Sequence, residues 1–219
     1  VMDALLARPE QLGPDALAEL AFALVCFRAG EGRALPPARF DTLCLALFQQ
    51  LSRAPDWTTV SAWQKVRLFA RVCAALHPEW DQGFIEQLGY HADKRTSTAR
   101  LRPAALTPEL AAVAGVLQAE PGLGLLSLVD FEGLFLLDLA NEEHRLAVWL
   151  RGPASLLAAE PGEPALTSAV WDAQHLLLEL AGWTVCDIDL VAFNALGPAR
   201  AAWLREHVGA ALALAVQNA

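Results

Sequence analysis

The chain has 219 residues, 55% of them apolar and 19% charged, with a formal net charge of −9. That length accommodates two domains of about 100 residues each, and the apolar content excludes the polar, charge-rich composition of chains that cannot bury a core. Residues 1–100 hold eleven Lys and Arg against eleven Asp and Glu, residues 101–219 five against fourteen, so the second half is poorly suited to grip nucleic-acid phosphate by itself.

No stretch approaches the ~20 apolar residues of a membrane-spanning helix, and the first residues show no basic flank followed by an apolar run, so neither membrane insertion nor a signal peptide is expected. Cys26, Cys44, Cys73 and Cys186 stand singly in apolar surroundings. Without a C-x-x-C spacing they read as buried, reduced thiols in a reducing compartment.

The first half reads as helices. Gly13-Pro14-Asp15 opens one over residues 16–29, with Gly30 as its stop; Pro suits the first turn and Gly the exit. A second spans residues 37–53, where Phe40, Leu43, Cys44, Leu47, Phe48 and Leu51 recur at three and four residues, the stripe of a helix with one packed face. A third covers residues 60–76, after the polar Asp56-Trp57-Thr58-Thr59 turn and before Pro78. Phe22-Ala23-Leu24-Val25-Cys26 returns as Phe69-Ala70-Arg71-Val72-Cys73, which suggests stacked helix pairs of the α-solenoid kind.

A short amphipathic piece over residues 80–88 precedes the polar, basic run from Asp93 to Pro103, read as the boundary between units: either a solvated linker or a phosphate contact. Residues 108–120 form a further helix, with Thr107 as N-cap and Pro121-Gly122 as the stop. The periodicity then changes. Apolar runs over residues 125–129, 134–139 and 145–150, separated by Phe131-Glu132-Gly133 and Asn141-Glu142-Glu143, have the grammar of tightly joined strands. A Gly/Pro/Glu-rich stretch over 152–164, a helix over 166–181, a strand over 183–188 and a closing helix over 195–214 complete an α/β module with a parallel strand pair across its helix.

The series Phe135-Leu136-Leu137-Asp138, Leu146-Ala147-Val148-Trp149-Leu150-Arg151-Gly152-Pro153, Leu178-Glu179-Leu180-Ala181-Gly182-Trp183, Val185-Cys186-Asp187-Ile188, Phe193-Asn194-Ala195-Leu196 and Trp203-Leu204-Arg205 resembles the RAP domain. That module ends FAST-kinase-like and octotricopeptide-repeat proteins of organelle RNA metabolism, and the match covers about a third of the chain. The segment Asp15 to Leu24 is similar, less specifically, to the repeat helices that precede it. The resemblance implies an α+α/β architecture: a helical-repeat, α-solenoid-like unit over residues 1–102, then a restriction-endonuclease-like RAP domain over 103–219.

Nucleases of that fold hold a divalent cation between carboxylates on neighbouring strands. Asp138 stands where the resemblance puts the first carboxylate, but Trp149 occupies the second position, Arg151 the next inward one, and the usual basic helix residues are Gln174, His175 and Leu176. The expectation is therefore a noncatalytic protein in which Asp138 is vestigial, with no cofactor and no metal. It would associate with organellar RNA and with ribosomal or other ribonucleoprotein subunits in the mitochondrion or chloroplast, and not with DNA or a membrane. Lys94, Arg95, Arg100, Arg102 and Arg151 are the residues offered to RNA. Two other readings compete with it: an RNA endonuclease joining Asp138 to Glu132 or Asp130, and a protein-binding scaffold without RNA.

The plain structural readings of the same residues are a left-handed helix exit at Gly182, a cap on the last helix at Asn194, and core roles for Trp149, Trp171, Phe193 and Trp203. The five histidines show no metal-ligand spacing, and no P-loop, dinucleotide fingerprint or G-x-S-x-G elbow is present. Glu142 and Glu143 read as a solvated turn rather than as a metal site with Asp138.

Overall fold

A computed structural model describes residues 12–29, 37–51, 60–80, 83, 86, 106–152, 156–157 and 166–218. The chain divides into two compact units, Val1–Arg100 with Asp172–Leu177, and Leu101–Trp171 with Leu178–Ala219. The predicted stop at Gly30, most of the piece over 80–88 and the basic run over 93–103 lie outside the described residues.

The helical unit contains α1 (Pro14–Ala29), α2 (Pro37–Leu51) and α3 (Val60–Leu76). Pro14 and Asp15 open α1 and Arg28 sits in its last turn, so the charges oppose the helix dipole at both ends. Helix α1 packs on both α2 and α3. The apolar stripe predicted for α2 is its packed face: Phe40, Leu43, Cys44, Leu47, Phe48 and Leu51 are all buried. The two similar pentapeptides both bury their valine, Val25 and Val72, but differ at other positions. Leu24 is buried where its counterpart Arg71 is exposed, and Phe22 is half-buried where Phe69 is fully buried. Lys65 meets Glu19 and lies 5.8 Å from the Phe22 ring centre.

The second unit begins with α4 (Pro108–Leu117). Thr107 caps it, its hydroxyl accepting from the Leu110 N–H at 3.2 Å. Four strands follow in a mixed sheet of spatial order β1-β2-β3-β6: β1 (Leu126–Phe131), β2 (Phe135–Asn141), β3 (Leu146–Arg151) and β6 (Thr184–Asp189). The first three pair antiparallel, and β3 pairs parallel with β6 across α5 (Ala169–Leu180). The β1–β2 turn is made by Glu132 and Gly133, both at positive φ (53° and 69°); such primed turns match strand twist. Helix α5 ends as predicted at Gly182, φ 76°. The Gly182 N–H donates to Glu179 O and the Trp183 N–H to Leu178 O, both at 2.9 Å, the paired bonds of a Schellman exit.

One sheet face, with Leu139, Leu146, Val148, Cys186 and Ile188, forms a buried cluster with Leu110, Val113 and Leu117 of α4 and with Leu204 and Val208 of α7 (Arg200–Asn218). Each such leucine contributes about 2 kcal/mol by leaving water.

Three expectations are corrected. The closing helix does not start at residue 195: α6 (Leu190–Ala195) follows β6 directly, then a 3-10 turn, Gly197–Ala199, then α7. Asp189 caps α6, while Gly197 at φ 54° and Pro198 prevent one continuous helix. Asn194 therefore caps nothing; it lies inside α6, where its carbonyl accepts from Arg200 Nη2 at 2.6 Å. The helix predicted over 166–181 begins instead at Ala169, because β4 (Leu156–Leu157) and β5 (Leu166–Thr167) form a two-residue ladder.

Candidate functional site

Asp138 and Trp149 fall where the β2–β3 ladder ends. Its last pair is Leu139 with Val148, so Asp138 and Trp149 come one step later on each strand. No backbone pairing continues there. Instead Asp138 Oδ2 accepts the Leu150 N–H at 2.8 Å, supplying from a side chain the acceptor that β2 no longer offers.

On the other side of β2, the β1 ladder passes from Ser127–Leu139 to Val129–Leu137 and skips Leu128, whose φ is 53°. A non-glycine residue in the left-handed region marks local strain, here opposite Asp138. Strict alternation is also lost. Leu139 belongs to the α4/α7 cluster, whereas the Phe135 ring stacks on Trp149 at 5.6 Å, which needs the opposite face. The register itself is unbroken, the pairs on either side keeping Leu128 level with Asp138.

Burial pushes the Asp138 carboxyl above its ordinary range, with the Leu150 N–H working in the other direction. Trp149 offers no oxygen. It is 5% exposed and packed between Phe135 and Trp171, the latter at 4.7 Å.

Arg151, one of the residues offered to RNA, is paired to Asp189 at the same level of the parallel β3–β6 ladder. Its Nη2 donates to Asp189 Oδ2 at 3.0 Å, with each side chain 32% exposed. Asp189 Oδ1 accepts from the Val191 and Ala192 N–H groups at 2.8 and 3.1 Å. The Ala192 N–H above all, together with Arg151 and the Val191 N–H, holds the Asp189 carboxyl below its usual range against the opposing effect of burial. One carboxylate thus serves an N-cap and an ion pair. Lys94, Arg95, Arg100 and Arg102 lie outside the described residues.

Sequence reasoning missed Asn141. It is 6% exposed; its Nδ2 donates to Leu123 O at 2.8 Å and its Oδ1 accepts from the His144 N–H at 2.9 Å. It ties the loop before β1 to the β2–β3 turn. Gly124, at φ 55°, lies so close that a Cβ there would stand 2.9 Å from Asn141 Nδ2. Asp189 was also missed, though an Asp between a strand and an apolar run is an N-cap signal.

Asp130 and Glu132, the alternative carboxylates, fall in the β1–β2 hairpin, where Asp130 Oδ1 accepts from the Gly133 N–H at 2.8 Å. Among the described residues, no three His, Cys, Asp or Glu side chains stand together as ligands of one metal ion, and no helix is long and apolar enough to cross a membrane.

The fold is of mixed α plus β class, with seven α-helices and a four-stranded mixed sheet among the described residues. The chain matches no known protein family and no curated protein.

Proposed function

We propose that this is a noncatalytic, RNA-associated protein of an organellar ribonucleoprotein, a component or assembly factor such as a mitochondrial ribosome contains, in which a short helical-repeat unit precedes a RAP-like domain of nuclease descent. The observation that carries this reading is the engagement of Asp138 with the Leu150 N–H beside a buried Trp149. A carboxylate that completes a strand pairing, next to an indole, supplies neither the second oxygen ligand nor the open position that metal-assisted phosphodiester cleavage requires.

Lys94, Arg95, Arg100 and Arg102 are the proposed RNA contacts. So small a helical unit would read too few nucleotides for sequence-specific recognition by itself, so neighbouring protein or RNA subunits would supply the remainder. Ultraviolet crosslinking of the native protein in intact mitochondria or chloroplasts tests this. The expected result is ribosomal or transcript RNA attached within residues 94–102. Recovery of protein partners alone, with no RNA adduct anywhere on the chain, would favour the scaffold reading and remove this one.

A further inference from the structure

The turn that follows α3 reaches α2 through two rings. The His77 N–H donates to Cys73 O at 2.8 Å and the Trp80 N–H to His77 O at 3.0 Å, so the backbone keeps turning after α3 ends at Leu76. Their side chains stack, imidazole on indole, at 4.2 Å with planes 7° apart. The indole in turn lies 5.5 Å from the Phe48 ring of α2. Asp41, about two helical turns before Phe48, is where the imidazole meets the same helix: His77 Nε2 and Asp41 Oδ1 stand 3.2 Å apart.

The His77 ring stands between two carboxylates. Nε2 faces Asp41, and Nδ1 lies 3.3 Å from Glu79 Oε1. Among the described residues these are the charged groups that meet the ring. Cys73, one turn back, adds no charge, because its hydrogen bond with Cys44 and its burial keep the thiol protonated well above its usual range. A neutral imidazole carries one N–H and one lone pair, so in either tautomer one nitrogen turns its lone pair on a carboxylate oxygen. Only the imidazolium meets both with positive charge. Nε2 is buried without a hydrogen bond among the described residues, so its contact with Asp41 is one of charge. The ring also follows the C-terminal end of α3, where the helix dipole favours a cation. The His77 side chain is 14% exposed and those of Asp41 and Glu79 47% and 67%, so the ring is shielded while water reaches both carboxylates.

We propose that His77 is a proton-operated latch between α2 and the turn that follows α3. Protonated, it draws the turn onto α2 by attraction to Asp41 and Glu79, and Trp80 is carried with it by the stack. Deprotonated, it loses that attraction and sets a lone pair against a carboxylate, and the turn keeps its packing on Phe48 without the charge contacts. The end of the helix pair therefore tightens in mildly acidic conditions and loosens in mildly alkaline ones.

Amide hydrogen exchange in the full-length chain tests the latch. It is read at the His77 and Trp80 amides at about pH 5.5 and about pH 8, on either side of the ordinary imidazole value of about 6.5. Asp41→Asn and Glu79→Gln, at side chains about half or more open to water, should each speed exchange about three- to fivefold at the lower pH. At the higher pH both should exchange no faster than the wild type. With intrinsic exchange divided out, wild-type protection should fall from the lower pH to the higher, and His77→Gln should show no such fall. Equal effects of the carboxylate variants at both pH values, no effect at either, or an undiminished fall in His77→Gln each overturns the proposal.

Discussion

In the sheet unit Asp138, Asn141 and Asp189 each turn an oxygen onto a backbone N–H, whereas in the helical unit His77 and Asp41 stand 3.2 Å apart across two helices. The difference follows from backbone hydrogen bonding. A helix satisfies its own interior N–H and C=O groups, so polar side chains between helices find only each other. A sheet that bends, skips a residue or hands over to a helix leaves backbone groups unpaired, and nearby side chains supply the missing partners. Side chains bound to backbone close gaps in the sheet; side chains paired across helices help set how those helices pack.

If that contrast holds, the largest loss of stability falls on Asn141. Asn141→Leu removes the partners of both the Leu123 carbonyl and the His144 N–H, and equilibrium urea unfolding should show a loss of about 2–4 kcal/mol. A value below about 1 kcal/mol would mean that the network is not what joins the loop to the turn. Gly124→Ala comes next, at about 1–2 kcal/mol, because it adds left-handed strain and a contact with Asn141 Nδ2 at 2.9 Å. The double variant with Asn141→Leu should lose less than the sum, since the atom in the way is gone.

Asp138 sharpens the comparison through charge. Asp138→Ala orphans the Leu150 N–H and should cost about 1–2 kcal/mol, while Asp138→Asn keeps an acceptor and should cost little at neutral pH. Because burial raises the folded carboxyl above 3.8, the native state holds this proton more tightly than the unfolded chain. The stabilisation is complete below the unfolded value and is lost as pH rises through the folded one. Unfolding curves from about pH 4 to about pH 7 should therefore fall less steeply for Asp138→Asn than for the wild type.

The smallest effect belongs to Arg151→Gln. Its ion pair with Asp189 is one-third exposed, so the loss should be about 0.5 kcal/mol or less and should shrink further in salt. Asp189 has the opposite sign from Asp138. Its folded carboxyl is lowered, so its contribution is present above the unfolded value and lost as the pH falls through the folded one.

The helical unit was legible from periodicity because helix faces repeat at 3.6 residues: the α2 stripe from Phe40 to Leu51 is the buried face, and α3 has the predicted ends. The turns at Glu132-Gly133 and Gly182 were legible because positive φ restricts residue choice. What escaped was long-range. Nothing near Asn141 in the chain announces that its partner is Leu123 O, eighteen residues back. The skip at Leu128 arises where two strand pairings part, a tertiary event with no period of its own. Asp41 and His77 lie thirty-six positions apart, so no short-range spacing announces them, and only the tertiary packing of the helical unit brings them to 3.2 Å.

The assignment of Asp138 to structure rather than to catalysis is tested most directly by incubating the purified full-length chain with organellar RNA in magnesium or manganese, beside Asp138→Asn. Intact RNA in both reactions, at every metal concentration, is the predicted outcome. Metal-dependent cleavage by the wild type that disappears in the folded Asp138→Asn variant would contradict it and make the protein an endonuclease.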